Sequence, residues 1–207
     1  MSIWRLTTKV IWVIGVKLRS RILFAFYWSL RGVFFQHIGL GTAIYGLIHF
    51  GSVSNNNISV GRKCVIGRYV YFAAARNARI ELGDCCHLAT GVHLVAVHSI
   101  EIGANTLIGE YVSIRDQNHG FEDPNRLVQE QDYVGMPIKI GSDVWIGRGC
   151  FIGPGVTIGD GCIVGANSVV TKSLPPRSVA VGAPARVVRK RGDRLALSPQ
   201  DPLDGKR

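Results

Sequence analysis

The first eighty residues contain no acidic side chain. Residues 1–80 carry 11 Lys and Arg and no Asp or Glu, whereas residues 81–207 carry 13 basic and 14 acidic residues. The formal charge of +10 on the 207-residue chain is therefore +11 from the first part and −1 from the rest. A nucleic-acid binder carries its basic face on the folded domain, with a recognisable reader motif. No such motif is present, so nucleic acid is not an expected partner. A Cys-x-x-Cys pair is also missing. The five cysteines (Cys64, Cys85, Cys86, Cys150 and Cys162) are odd in number. That argues against a zinc ribbon or disulfide framework and for a reducing, cytoplasmic compartment. Charged residues make up only 18% against 47% apolar, which excludes wholesale disorder and fits one domain with an appendage.

Residues 1–50 lack proline and are apolar, aromatic and basic, with three of the four Trp (Trp4, Trp12, Trp28). One or two helices are expected here. The basic residues spread over roughly 200° of a helical wheel, so amphipathicity is weak. A secretory signal would need a small-x-small cleavage site after its apolar run, and none closes it. A span from Gly32 to Phe50 is uncharged, but Gly39, Gly41, Gly46, His37, His49 and Gln36 weaken it. Two readings remain open: an interfacial segment whose Trp and Phe enter the acyl boundary while Lys and Arg meet anionic headgroups, and a helix packed on the rest of the protein. We take 1–50 as an apolar, basic, membrane-associated segment, 51–191 as the main domain with a loop at 119–139, and 192–207 as a disordered tail.

Glycine is plentiful, 25 residues or about 12% against the usual ~7%, and it is periodic. In sixes from Val60 the chain reads VGRKCV, IGRYVY, FAAARN. From Leu82 it reads LGDCCH, LATGVH, LVAVHS. From Ile102 it reads IGANTL, IGEYVS, IRDQNH, and from Ile140 IGSDVW, IGRGCF, IGPGVT, IGDGCI, VGANSV, VTKSLP. The first position is Val, Ile, Leu or Phe in all fifteen and the second is Gly in ten. The fifth is mostly small or β-branched. This period describes short strands joined by tight turns, three to a triangular coil, with coils stacking on a shared core. It places Cys64, Cys86, Cys150 and Cys162 inward as small buried hydrophobes. Cys85 has no explanation at this level.

On these repeats, and on Asp116-Gln117-Asn118-His119-Gly120-Phe121-Glu122-Asp123-Pro124, Pro137 to Gly147, Gly155 to Gly159, Gly165 to Lys172 and Val181 to Arg189, the chain resembles the hexapeptide-repeat acyltransferases. It is most similar to bacterial sugar O-acetyltransferases of the maltose/galactoside type and of exopolysaccharide and O-antigen biosynthesis. The resemblance covers about residues 55–191. It implies an all-β fold, a left-handed parallel β-helix with a protruding loop, and a homotrimer with active sites between neighbours. It also implies acetyl-CoA as co-substrate, a sugar or lipid-linked oligosaccharide as acceptor, and no metal.

The repeat breaks between His119 and Ile140, and a long excursion from a rigid solenoid is where function concentrates. By the resemblance His119 is the catalytic base. Imidazole titrates near neutrality and can take the proton of a sugar hydroxyl as its oxygen attacks a thioester. Asp116, Asn118, Glu122 and Trp145 are candidates to orient it or to wall the acceptor site. Thr171, Lys172, Arg186 and Arg189 match the phosphate end of the donor, and Gly147, Arg148 and Ala166 the pantetheine arm. No Ser or Cys shows a nucleophile motif, so direct transfer in a ternary complex is expected. His87 and His93, six residues apart, fall on different faces of a three-sided coil, which opposes a metal site. Beside the O-acetyltransferase stand an N-acetyltransferase of a nucleotide-linked amino sugar and a non-catalytic scaffold at a membrane. The paired presence of His119 and the basic C-terminal set disfavours the scaffold. A peripheral position at the inner face of the cytoplasmic membrane follows from the N-terminal segment.

Overall fold

A computed structural model describes residues 3–30, 32–51 and 57–193, with side chains of the first helix from Gly15 onward. Residues 194–207, most of the tail expected to be disordered, lie outside the described residues, as do the side chains of Trp4 and Trp12.

Among the described residues the hexads form a three-sided solenoid of six coils with parallel strands on each face. The first face stacks His37–Ile38, Ile58–Val60, Arg79–Leu82, Ser99–Ile102, Ile138–Ile140 and Thr157–Ile158. The second runs from Ala43–Ile44 through Val65–Ile66, His87–Leu88, Leu107–Ile108, Trp145–Ile146 and Ile163–Val164 to Ser178–Val181. The third stacks His49–Phe50, Tyr71–Ala74, His93–Ala96, Ser113–Arg115, Phe151–Ile152 and Val169–Val170. All fifteen first-position residues of the hexads are buried. They stand in columns, as in Ile44, Ile66, Leu88, Ile108, Ile146 and Val164.

The fifth position is buried in twelve of the fifteen hexads, with Arg76, His98 and Asn118 exposed, and its polar tips bond to the next coil. Thr106 Oγ1 donates to the Gly141 carbonyl at 3.0 Å. The Cys64, Cys86 and Cys150 thiols donate to Gly83, Gly103 and Gly165 carbonyls at 3.3, 3.1 and 3.1 Å. Burial raises the thiol pKa of Cys150 and Cys162, so neither is an activated nucleophile.

The second position needs glycine for a steric reason. A Cβ on Gly61 would lie 2.5 Å from the Gly83 carbonyl carbon, and one on Gly103 would lie 2.6 Å from the Ser142 amide. The fourth position is the left-handed turn residue. Lys63, Tyr69, Asn105, Tyr111, Asp143 and Asn167 all sit at φ between 54° and 59° there, and Gly41, Gly91 and Gly149 occupy equivalent sites. Cys85, at φ 58° and exposed, is one of this set, which accounts for its separation from the buried thiols.

The expected boundary at residue 50 is displaced. One helix, α1, covers Ile3–Ser29, and residues 37–50 form the first coil. Ile38, Ile44 and Phe50 are spaced by six, but only two of these three hexads carry Gly second, and their apolar composition reads like a membrane segment. Among the described residues no helix is long and apolar enough to cross a membrane.

Helix α1 closes the open end of the solenoid. First-coil amides that point away from the second coil would otherwise be an unpaired edge. Ser20 Oγ accepts from the Ile44 amide at 3.1 Å, and Tyr27 Oη accepts from the Ile48 amide at 2.9 Å. Tyr27, only 3% exposed, packs edge-on against Phe34 and Phe35, and Phe50 stacks on Phe34 and Phe72. At the other end Arg186–Lys190 pairs antiparallel with Ser178–Val181.

Two outcomes follow. Gly61→Ala lowers stability by about 1–3 kcal/mol through backbone overlap, while Cys85→Asn relieves the turn and raises it by up to about 1 kcal/mol; denaturant midpoints against wild type read both. Tyr27→Phe strands the Ile48 amide and costs about 1–3 kcal/mol, measured in the same way.

Candidate active site

The fourth coil ends at Arg115, and the chain leaves the solenoid as a hairpin in which Gln117–His119 pairs antiparallel with Tyr133–Gly135. Asp116 fixes the root of this hairpin. Its carboxylate is fully buried and accepts from the Val97 amide at 2.8 Å and the His98 amide at 2.7 Å. Its carbonyl accepts from Met136 N at 2.9 Å. Burial raises its pKa and the two amide bonds act against that rise. The expectation that Asp116 orients the histidine is thus corrected: both carboxylate oxygens are committed to clamping the hairpin to the third coil.

His119 is exposed at the end of the first hairpin strand, its ring 4.4 Å from that of Tyr133. It opens onto a cavity of about 430 Å³ lined by Asn118, Phe121, Glu122, Met136, Phe151, Pro154 and Thr171. Asn118 and Glu122 therefore share the histidine's cavity. Further out, Gln131 ties the loop together, its side chain bonding to Asp123 N at 3.2 Å, Asp123 O at 3.0 Å and Arg126 O at 3.2 Å. Leu127, Val128, Val134 and Met136 remain exposed around the site.

Trp145 is elsewhere. It projects from the second face, in the column His87, Leu107, Trp145, Ile163. There it lines a separate groove of about 520 Å³ with Glu110, Gly147, Arg148 and Ala166. The expected donor residues are thereby divided. Gly147, Arg148 and Ala166 stand at the corner after the second face, whereas Thr171 lines the His119 cavity at the corner after the third, with Lys172 next to it. Arg186 and Arg189 lie on the closing strand opposite Val181 and Val179. The sequence reading missed Tyr133, Met136, Phe151 and Pro154. The available signal was the Tyr133-Val134-Gly135 stretch bounded by Pro137, which pairs back on the histidine strand.

His87 and His93 project from different faces, as expected. Burial, Arg115 and His49 together lower the His93 pKa. Among the described residues no group of three or more His, Cys, Asp or Glu is placed to hold a metal ion.

A stack of hexad coils interrupted by one histidine-bearing hairpin over a cavity defines the hexapeptide-repeat class of transferases. Residues 137–172 match the bacterial transferase hexapeptide (six repeats) family. The chain is 33% identical over 152 residues to a putative lipopolysaccharide biosynthesis O-acetyl transferase of Escherichia coli, a match covering 70% of this chain and 72% of that protein. It is 34% identical over 131 residues to a probable acetyltransferase of Mycobacterium tuberculosis, covering 61% of this chain but only 44% of that longer protein. The crystal structure of a galactoside acetyltransferase in complex with coenzyme A superposes with a TM-score of 0.58 at 28% identity, over 86% of this chain and 82% of that one. The chain belongs to the bacterial hexapeptide-repeat acyltransferase family.

Asp116→Ala frees two buried amides at the hairpin root. It is expected to lower stability by about 2–3 kcal/mol and to speed proteolysis within residues 119–135, read by limited digestion against wild type.

Proposed function

We propose that the protein is an acetyl-CoA-dependent O-acetyltransferase acting on a sugar hydroxyl in surface-polysaccharide assembly, at the inner face of the cytoplasmic membrane. The observation that carries this reading is His119 at the mouth of its cavity, on a hairpin that Asp116 anchors to the solenoid. An imidazole nitrogen within about 3 Å of the acceptor hydroxyl takes its proton as the oxygen attacks the thioester carbonyl carbon. The C–S bond then breaks, and the imidazolium returns its proton to the departing thiolate. The acetyl group passes directly to the sugar oxygen, and no acyl-enzyme is needed. The apolar walls formed by Phe121, Met136 and Phe151 keep water from the thioester. Arg186 and Arg189 meet the phosphates of the donor.

The division of the donor residues between two corners supports a homotrimer with shared sites. In side-by-side copies, the Gly147, Arg148 and Ala166 corner of one chain meets the His119 corner of the next. The apolar column Leu107, Trp145 and Ile163, in which Leu107 and Trp145 are exposed, suits that contact.

His119→Ala is expected to lower kcat by about 10²–10⁴-fold with acetyl-CoA affinity unchanged; activity within a few-fold of wild type would overturn the assignment. Ala166→Arg blocks the other corner. Co-expression of the two variants restores turnover that neither has alone, whereas a site built within one chain stays inactive in every mixture.

A further inference from the structure

We propose that the capped end of the solenoid docks on an anionic lipid bilayer, through the outer face of helix α1. The observation is that α1 is apolar on two opposite sides. Ser20, Leu23, Phe24 and Tyr27 form the stripe that packs on the first coil. At 3.6 residues per turn, Leu18 and Ile22 point about 180° away from that stripe, with Gly15, Ala25 and Phe26 around them. Leu18 is 57%, Ile22 60% and Phe26 47% exposed. Because the inner stripe bonds to amides on the side of the first coil away from the second, the outer stripe faces along the solenoid axis, away from the stack. Leu40 and Leu47 of the first coil are exposed near this end.

Charge selects the occupant. Lys17 and Arg21 flank the outer stripe on one side and Arg19 on the other, all three exposed. No acidic residue occurs before Glu81, so nothing in α1 or the first coil offsets them. An apolar stripe between basic flanks, with no acid nearby, fits a bilayer interface: the apolar chains enter the acyl boundary and the cations meet lipid phosphates. A protein groove would be expected to find some acidic complement on this side. The fourth to sixth coils, which carry the His119 cavity, then stand about 14–24 Å above the first, three to five strand spacings of ~4.8 Å. This deepens the membrane position proposed above by assigning its surface, and it does not depend on the catalytic reading.

The test is co-sedimentation of the full chain with phosphatidylcholine vesicles, with and without about 30 mol% phosphatidylglycerol. Acetyl-CoA binding and the unfolding midpoint are measured on the same samples. Wild type is expected to partition at least about tenfold more onto the anionic vesicles, and added salt should reduce the difference. Leu18→Ser/Ile22→Ser should lower partitioning at least about tenfold, and Lys17→Gln/Arg19→Gln/Arg21→Gln should abolish the preference for anionic lipid, both with acetyl-CoA binding and unfolding midpoint unchanged. Wild type that stays in the supernatant with anionic vesicles, or a serine pair that partitions like wild type, overturns the proposal. So does a stripe that proves to be a self-association face, seen as a fall in sedimentation coefficient in the serine pair without vesicles. A chain that ignores vesicles but binds acetyl-CoA defeats only the docking surface, and one that binds vesicles but not acetyl-CoA defeats only the catalytic reading.

Discussion

Everything in this molecule hangs on how closely one coil lies on the next. The hydrogen-bonded ladder holds neighbouring backbones at strand spacing on all three faces, and at the corner after the first face it leaves no room for a Cβ. Gly39, Gly61, Gly83, Gly103 and Gly159 stand there, one per coil, each with backbone of the following coil within 2.6 Å of where a side chain would begin. That clearance dictates glycine second, an inward aliphatic first and a small fifth residue. The same geometry turns the chain through a left-handed residue at the fourth place.

The rigidity of that stack gives the hairpin its value. A loop that protrudes into solvent has little to hold a catalytic group still. This one is pinned where it departs, because the fully buried Asp116 ties it through two amides to the third coil and through its carbonyl to the returning strand. His119 is three residues from that pin and rests against Tyr133. The exposed part of the excursion lies beyond it, where Gln131 gathers the turn. Position comes from the solenoid, and access from the loop.

Much of this was legible in the residues. The hexads named the inward columns and the buried thiols, and the break after His119 located the hairpin. What escaped has physical reasons. The first coil hid because Tyr45 follows Ile44 where most hexads carry glycine, and because its apolar content resembles a lipid-facing segment. Helix α1 showed a weak amphipathic pattern because its inner and outer stripes oppose each other and cancel. Asp116 sat next to the histidine motif and so looked like its partner, but neighbours along a strand end point in different directions. A six-residue period says which way a side chain points, but only counting by whole coils says which corner it reaches. Trp145 and Ala166 therefore could not be separated from His119 by pattern alone.

The closed first coil and the uninterrupted columns above it give the molecule a discrete vertical scale. A change of one residue within a face would turn the inward side chains that follow it in that strand outward, so such changes are confined to corners and to the hairpin. Length can otherwise be added or removed only as a full circuit of three hexads, which shifts the cavity relative to the capped end by about one strand spacing, ~4.8 Å, while leaving its chemistry intact. Related chains can thus differ in reach by counted steps, and the number of circuits between Ile38 and His119 becomes a readable dimension of the gene.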